Sequence, residues 1–544
     1  MAAPTARVNP WLALLVLCVG NFLILLDTSI VNTAAPDIMS SLDTGIDKIL
    51  WVLNGYLLAL ASLLIVFGRL GDLFGPRKVF VAGLGLFAVA SVLCGVSQTP
   101  DQLIAARVVQ GIGAAALLPQ ALVLISAIFP AERRGAAFGV FTAVAGIAAV
   151  SGPTLGGLLV TELGWQWIFY VNVPLALGGI VAALRLIPDL RSGRPHRFDP
   201  VGVALATGGL IGLVYGLVEG QRHHWGRVAG PVTIPLILGA AVVLLVLFVL
   251  WERRQAEPLL PLGLFRDRNF AIATVLTLVT SFALFGFLLV FVLETQTLLG
   301  MSPWRSGLTA LPWTVALSAV APVAGRLTDR IGGRLLLVVG LALYAAGVLG
   351  VALIPTGTST WVTFALPLVV VGLGMGTAIA PTTTEAMRSI APERAGAASG
   401  VLNTARQVGA ALGAAVIGAV LQNRFVAATH VVAREEAGRL PAEYRDRFVG
   451  GFDEAATRGL QLGSGQHGGV AQPADLPPGL ADGYRHLVAD TFGAGFLQAT
   501  RPTLIVVAGV LALGSLLAAF MARRPAPVSA RAAEPVGTRA GRGR

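Results

Sequence analysis

The chain has 544 residues, of which 55% are hydrophobic and only 12% are charged. Soluble proteins are roughly 25% charged, because their surfaces must carry polar groups. An ordinary soluble enzyme and a disordered protein are therefore excluded, and the composition predicts a chain whose solvent is mostly lipid. The net charge of +11 would suggest nucleic-acid binding in a soluble protein, but in a membrane protein the placement of the charges decides their meaning.

Windows of about 20 apolar residues predict transmembrane helices along nearly the whole chain. The first six spans lie near 11–31, 50–68, 79–98, 103–126, 136–160 and 166–187. Two more lie near 201–219 and 231–251, and the last six near 270–294, 306–325, 335–354, 361–384, 397–423 and 502–522. The sequence thus predicts fourteen spans, an even number that places both termini on one side.

The basic residues of the loops predict the orientation. With both termini in the cytoplasm, the inside segments carry 25 Lys and Arg, whereas the short outside loops carry only Lys48, Arg222, Arg227 and Arg305. Basic short loops stay in the cytoplasm, so topology explains the positive charge and no nucleic-acid partner is expected. Thirty-seven Arg against two Lys indicate a GC-rich bacterial genome, which predicts a multi-pass protein of the bacterial inner membrane with both termini cytoplasmic.

The spans divide the chain into six predicted parts. These are a six-helix half (1–190), a two-helix insertion with flanking cytoplasmic loops (191–264), the first five helices of a second half (265–424), a long extracytoplasmic loop (425–500), the last transmembrane helix (501–524) and a disordered basic tail (525–544). The long loop has helical character over 431–462 and a Gly/Pro-rich connector over 466–479. A lid, a partner site and a simple connector all remain open for it.

Two stretches recur at nearly the same offset. The first contains Gly68, Asp72, Gly75 and Arg77, which recur 257 residues later as Gly325, Asp329, Gly332 and Arg334. The second contains Gly135, Ala136 and Ala137, which recur 261 residues later as Gly396, Ala397 and Ala398. The repeats follow spans two and five and then spans ten and thirteen, which predicts two six-span halves with two extra spans between them. Transporters built in this way bind near the midplane and expose the site alternately.

Six segments carry a family resemblance. They are Gly68–Lys78, Gly152–Gly157, Leu26–Asn32, Trp165–Pro174, Pro258–Phe265 and Asn403–Gly409. Together they resemble the fourteen-span drug:proton antiporters of the major facilitator superfamily, the EmrB/QacA type. The resemblance covers nearly the whole chain apart from the outside loop and the tail. It implies an all-α polytopic membrane protein with the major facilitator fold, fourteen transmembrane helices arranged 6 + 2 + 6, and no enzymatic activity.

The resemblance also implies roles for the motif residues. A conformational latch on the inner surface would comprise Gly68, Asp72, Gly75, Arg77, Lys78, Gly325, Asp329, Gly332 and Arg334. An antiporter helix-packing motif in span five would comprise Ala148, Gly152, Pro153, Gly156 and Gly157. Glycine permits tight turns and close helix contacts, and a carboxylate can bind helix N-terminal amides. The first latch copy is expected to matter more, because Lys78 accompanies it; the alternatives are a positive-inside turn and ordinary small-residue packing.

An ionisable group inside a span costs several kcal/mol unless it is paired or hydrated, which makes each one a functional candidate. Asp27 in span one and Arg107 in span four both lie about 6 Å below the outer boundary by helix rise, so they can pair. Desolvation favours the neutral acid, whereas a guanidinium favours the carboxylate, so a moving Arg107 would switch Asp27 between binding and releasing a proton. The alternative is a static structural pair or an ordinary hydrated Asp.

Other charged or polar residues of the spans are weaker candidates. Glu294 is expected to be a second proton or cation site or a solvated helix end, and Glu385 is expected to be solvated. The remaining polar candidates are Gln110, Asn172, Asn403, Arg406 and Gln407. Relatives that export divalent cations carry more acids in spans two, ten and thirteen, so the resemblance implies neutral, zwitterionic or monocationic substrates. No catalytic or metal site and no nucleotide-binding phosphate loop is evident, so no cofactor is expected and the proton gradient would supply the energy.

The sequence therefore predicts proton-coupled efflux of hydrophobic or amphiphilic small molecules, such as drugs or antibiotics, by alternating access. The expected partners are a lipophilic substrate, protons and membrane lipids, and the oligomeric state is left open. One alternative is a dedicated exporter of a single metabolite, such as a self-made antibiotic, a siderophore or a lipid. The other is a non-transporting receptor or scaffold that acts through residues 425–500.

Overall fold

The structure is a computed structural model. It describes residues 9–44, 46–189, 199–220, 223, 225–255, 258, 260–301, 303–354, 361–388, 390–391, 394–457 and 478–522. These residues are nearly all helical, as the apolar windows predict. Within them, the helices pack as two bundles that face each other, with an added helix pair beside the first bundle.

The first bundle is built from seven helices. They are α1 (Pro10–Ser41), α2 (Ile46–Phe74), α3 (Pro76–Gly95), α4 (Pro100–Ile128), α5 (Arg134–Leu163), the short α6 (Trp167–Tyr170) and α7 (Asn172–Leu186). Local chemistry sets several of their ends. The side chain of Thr99 accepts a hydrogen bond from the amide of Gln102 at the start of α4, next to a proline in the first turn. Gly75 has a φ of 95°, which lets the chain turn between α2 and α3.

The inserted pair lies beside α2. It comprises α8 (Pro200–Glu219), an antiparallel hairpin of β1 (Arg227–Ala229) and β2 (Val232–Thr233), and α9 (Ile234–Glu252). The ring of Tyr215 on α8 lies 5.8 Å from that of Trp51 on α2. Many large apolar side chains of α9 are exposed, so this helix presents an apolar surface that suits lipid.

The second bundle begins with α10 (Arg268–Leu293), which ends in one π-helical turn over Glu294–Leu298. It continues with α11 (Pro303–Thr309), α12 (Leu311–Ile331), α13 (Gly333–Ala352), α14 (Trp361–Arg388), α15 (Ala395–Ala437), α16 (Ala442–Thr457) and α17 (Pro478–Ala518). The bundles meet along two helix pairs, α2 with α15 and α5 with α12. Each pair joins the second helix of one half to the fifth helix of the other.

Twelve helices among the described residues are long and apolar enough to cross a membrane, so the chain is a multi-pass membrane protein. Two predicted spans fall on α5 and α12, which are not among these twelve. Some side chains of α5 lie outside what the structure describes, and α12 carries Arg326, Asp329 and Arg330 towards its end.

The predicted outside loop contains packed helices. The long helix α15 continues to Ala437, α16 follows, and α17 begins at Pro478, whereas most of the predicted connector lies outside the described residues. Apolar residues at helical spacing bring three helix surfaces together in a small separate core: Ala433, Ala437, Leu440, Tyr444, Phe448, Phe452, Tyr484, Leu487 and Val488. We call α16 and the adjoining ends of α15 and α17 the helical cap.

Candidate functional site

Asp27 lies within α1, and its carboxylate is surrounded by donors from other helices. Its Oδ2 atom accepts a hydrogen bond from Nη1 of Arg107 on α4 in an ion pair. Its Oδ1 atom accepts from Nε2 of Gln110 at 2.9 Å and from Nδ2 of Asn172, the first residue of α7, at 3.0 Å. None of these four side chains is more than 1% exposed. Three donors therefore satisfy the carboxylate as an anion.

The guanidinium of Arg107 is held by α2 as well as by Asp27. Its Nε atom donates to the carbonyl of Val52 at 3.1 Å, and the ring of Tyr56 lies 4.1 Å beneath it. Gln110 connects the site to α3, because its Nε2 atom also donates a hydrogen bond to the hydroxyl of Ser91 at 2.9 Å. We call Asp27, Arg107, Gln110, Asn172 and Ser91 the Asp27 cluster. Because α2 contacts the guanidinium directly, a shift of α2 relative to α1 must disturb the pair.

Two glycines of α5 pack against the part of α1 that carries Asp27. A Cβ atom on Gly152 would collide with the side chain of Ser29, and one on Gly156 would lie 2.8 Å from Cγ1 of Ile30. Glycine at these positions therefore allows α5 to approach α1 closely, two to three residues from the coupling candidate.

The other residues of the predicted packing motif behave differently. Ala148 is buried on the same helix, whereas a Cβ atom on Gly157 would meet no atom within 4 Å. The side chain of Pro153 lies outside what the structure describes. Close contact with α1 is thus limited to Gly152 and Gly156 among the glycines of the motif.

The repeated aspartates lie at one end of the bundles, which we call the latch end. Asp329, near the end of α12, accepts hydrogen bonds from the amides of Gly135 at 2.9 Å and Ala136 at 3.1 Å. Asp72, near the end of α2, lies beside Arg69 and against the first turn of α15, where a Cβ atom on Gly396 would collide with its carboxylate. Each half therefore places its aspartate at the start of the fifth helix of the other half.

Latch glycines make these approaches possible. A Cβ atom on Gly68 would lie 2.7 Å from the carbonyl oxygen of Gly396, and one on Gly325 would collide with the carbonyl of Gly135. Gly332 has a φ of 84° and turns the chain between α12 and α13, as Gly75 does in the first half.

The basic latch residues have less uniform surroundings. Arg77 donates from Nη1 to the carbonyl of Ile187 at 3.1 Å, which ties the α2–α3 turn to the end of α7. Lys78 is exposed and Arg334 is partly exposed. The structure therefore brings both aspartates, Gly68 and Gly325 to the boundary between the halves, whereas Gly75 and Gly332 form turns within their own halves.

The expectation that Glu385 is solvated is wrong, because this residue is only 5% exposed. It accepts a hydrogen bond from the amide of Gly333 at 2.7 Å and pairs with Arg388 at 2.8 Å. Gly333 corresponds to Pro76 of the first half, and a proline has no amide hydrogen that needs an acceptor. This difference between the repeats indicates from sequence that only the second latch turn has an amide that needs an acceptor, which the structure shows to be Glu385.

The remaining candidates lie away from the Asp27 cluster. Glu294 is 2% exposed at the start of the π-helical turn, which contradicts a solvated helix end, and its Oε2 atom has no hydrogen-bond partner among the described residues. Arg406 donates from Nη1 to Oδ1 of Asn403 at 3.3 Å, and Gln407 follows on the same helix. These residues place polar groups on α10 and α15 of the second half.

We expect Asp329→Asn to slow transport more than Asp72→Asn, which reverses the order expected from sequence. Both oxygens of Asp329 accept hydrogen bonds from backbone amides. The asparagine side chain would have to turn its NH2 donor toward one of these two amides. Loss of such a charge-assisted bond costs about 1.5–3 kcal/mol in the closed conformation, enough to shift its population tenfold or more. Efflux rates at matched membrane levels measure this. The exposed Asp101→Asn is the control, and an effect at Asp72 equal to or larger than that at Asp329 would contradict the order.

Comparison with known proteins identifies the family. The family model described as Major Facilitator Superfamily matches residues 17–414. The tetracenomycin C resistance and export protein of Streptomyces glaucescens is 38% identical over 421 residues, which cover 77% of each chain. The multidrug resistance protein Stp of Mycobacterium tuberculosis is 38% identical over 411 residues, which cover 75% of each chain.

A solved structure shows the same fold at low sequence identity. The human organic anion transporter MFSD10 (TETRAN) superposes with a TM-score of 0.58 at 12% identity, over 94% of this chain and 99% of that chain. The superfamily expected from the sequence motifs is thus confirmed, and its members are transporters rather than enzymes. The chain belongs to the Major Facilitator Superfamily.

Proposed function

We propose that this chain is a proton-coupled exporter of hydrophobic or amphiphilic small molecules, such as drugs or antibiotics, in the bacterial inner membrane. The observation that carries the proposal is the Asp27 cluster, a buried carboxylate held by an arginine that another helix can move. Relatives named for antibiotic export and multidrug resistance support the direction of transport. Energy comes from the proton gradient, with no cofactor.

Proton binding and helix movement are linked in the Asp27 cluster. The carboxylate accepts three hydrogen bonds in the described conformation, and a proton on either oxygen would turn one acceptor into a donor. A donor would then have to move away. Protonation therefore favours a conformation in which Arg107 is displaced, and displacement of Arg107 favours protonation. This reciprocity is what coupling requires.

The helix contacts provide a route from the latch to this carboxylate. Asp329 holds the first turn of α5, and the same helix packs through Gly152 against α1 near Asp27. Rocking of the halves breaks the latch contacts, moves α5 and thereby displaces the α1 segment. In the described conformation the latch contacts are made and three donors hold Asp27, so a proton binds there only after Arg107 is displaced.

The proposed topology has fourteen spans arranged 6 + 2 + 6, with α5 and α12 added to the twelve apolar helices. The contacts of these two helices support the count, because α5 and α12 pack along each other at the boundary between the halves. The latch end and both termini lie in the cytoplasm in this topology, and the helical cap lies outside. The basic loops predicted from sequence support this orientation.

Transport by purified protein in proteoliposomes tests the proposal. With an imposed pH gradient, ciprofloxacin, novobiocin and doxorubicin should each be moved against their concentration gradients, and a protonophore should stop the movement. Transport that is indifferent to the gradient would contradict proton coupling. Transport of a single compound from a wide panel would instead favour a dedicated exporter, the alternative suggested by the relative named for tetracenomycin C.

Glu294 is proposed as a second proton-binding group. Its burial without a hydrogen-bond partner for Oε2 among the described residues suits a carboxyl that is neutral for part of the cycle. We expect Glu294→Gln to fold normally, since the amide has the same shape, and to lower the number of protons exchanged per substrate. The ratio of proton flux to substrate flux measures this, with the exposed Glu162→Gln as control. An unchanged ratio would remove Glu294 from the coupling mechanism.

A further inference from the structure

Arg406 is an intramembrane cation with no acid beside it among the residues that the structure describes. Its Nη1 atom donates to Oδ1 of Asn403, one turn earlier on α15, at 3.3 Å. In the part of the chain that the structure describes, no Asp or Glu pairs with it. Arg107 differs in this respect, because Asp27 neutralises it. Among the described residues, Arg107 is therefore compensated by an acid and Arg406 is not.

The position of Arg406 on α15 places it at the boundary between the halves. Residues seven apart lie on the same side of a helix, two turns from each other. Seven residues before Arg406, the hydroxyl of Ser399 donates to the carbonyl of Pro119 on α4, in the first half. Seven residues after it, a Cβ atom on Gly413 would meet the backbone of Phe282 on α10, in the second half. Arg406 thus lies on the helix side that contacts one helix of each half.

The chemistry of the site calls for an anion. The side chain of Arg406 is partly exposed. A guanidinium stays charged at any physiological pH, and a charge inside a span costs free energy unless it is paired or hydrated. Asn403 offers only a neutral oxygen. Asp27 is not available as a counter-ion, because its oxygens are occupied within the Asp27 cluster.

We propose that the exported compound supplies the missing charge, and that Arg406 binds a carboxylate or phenolate of an amphiphilic substrate between the halves. This inference rests on the proposed export function and names its substrate class. The planar guanidinium fork matches two oxygens of a carboxylate, which gives the site a preference for acids over neutral analogues. Anionic and zwitterionic amphiphiles therefore fit the site, whereas the monocations allowed by the family resemblance do not.

A matched pair of fluorescent probes tests the preference. 1-Pyrenebutyrate and 1-pyrenebutanamide share a ring and a chain and differ in the charge of the head group. Energy transfer from the tryptophans of the full chain in nanodiscs reports binding, with empty nanodiscs correcting for partition into lipid. No pH gradient is present. We expect the wild-type protein to bind the acid at least about tenfold more tightly than the amide, as hydrogen bonds to a charged group allow.

Variants assign the preference to the arginine. Arg406→Gln should weaken acid binding about tenfold or more and change amide binding less than about twofold. Arg406→Lys should retain part of the preference, because it keeps the charge without the fork. Gln407→Ala, a change of the adjacent polar residue, should retain the full preference. If Arg406→Gln does not fold, the wild-type probe pair and Arg406→Lys decide the question.

Three results would overturn the inference. They are equal affinity of the wild-type protein for acid and amide, no binding of the acid, and equal loss of both probes in Arg406→Gln, which would indicate a packing role only. Binding without a gradient is independent of Asp27. A protein that prefers the acid but fails in gradient-driven efflux would refute the proposed function and leave this inference standing, and the opposite pair of results would do the reverse.

Discussion

Asp27→Asn is expected to abolish efflux driven by a pH gradient while substrate binding remains. Asparagine keeps the volume of aspartate, and its oxygen can still accept from Gln110 and Asn172. Its amide nitrogen then faces the guanidinium of Arg107, so two donors oppose each other and no proton can be taken up or released. Substrate binding and gradient-driven efflux of the same purified variant in proteoliposomes measure the two parts of this prediction.

The variant also leaves a buried guanidinium without its counter-ion, at a cost of about 3–5 kcal/mol. The double variant Asp27→Asn with Arg107→Gln separates this cost from coupling, because it removes the unpaired charge. We expect the double variant to regain the expression level of the wild-type protein and still show no coupled efflux. Asp37→Asn, at an exposed position of the same helix, is the control. Wild-type efflux by a folded Asp27→Asn protein would sink the proposed role of this carboxylate.

Gly152→Leu is the second change for which we expect a near-complete loss of coupled efflux. The added side chain would collide with Ser29 and would lie against the backbone nitrogen of Ile30, which a Cβ atom alone would approach to 3.1 Å. Overpacking of this kind costs about 1–3 kcal/mol and here separates α5 from α1. Because this contact connects the latch to Asp27 in the proposed mechanism, the variant should either lose efflux or leak protons and substrate.

Gly157→Leu provides a matched control on the same helix, because a Cβ atom there would meet nothing within 4 Å. The two variants add the same apolar side chain five residues apart. Membrane levels and elution on size exclusion should be compared first, and proton leak and substrate efflux next. Full coupled efflux by Gly152→Leu, or an equal defect in Gly157→Leu, would show that the close contact of α5 with α1 has no part in coupling.

Hydropathy predicts the membrane helices of this chain well and their continuations poorly. The predicted span 103–126 falls within α4, whose ends are set by the cap at Thr99 and by Phe129. The predicted span 397–423 also falls within a helix, but α15 continues to Ala437. A predicted span ends where charged residues such as Arg424 and Arg434 begin. A helix can continue past such residues when its backbone hydrogen bonds are kept and one of its sides is packed. The helical cap was therefore outside the reach of the span prediction.

The candidate site, too, could be predicted from sequence only in part. Helix rise alone places Asp27 and Arg107 at a common depth, because depth depends only on the number of residues from the membrane boundary. The contributions of Asn172, Ser91 and Val52 depend on how each helix is rotated about its axis, which a single sequence does not specify. For this reason the pair was predictable, and the set of donors around the carboxylate was not.

The exchange of aspartates between the halves has a thermodynamic consequence. Asp72 and Asp329 belong to separate stretches of chain, yet in the proposed mechanism one rocking step must break both of their contacts. The two contacts do not touch, so their free energies add within a single equilibrium between two conformations. A substitution that weakens the contact at Asp329 can therefore be offset by one that strengthens the contact at Asp72. The balance between closed and open states is a property shared by both repeats, and either of them can be adjusted to restore it.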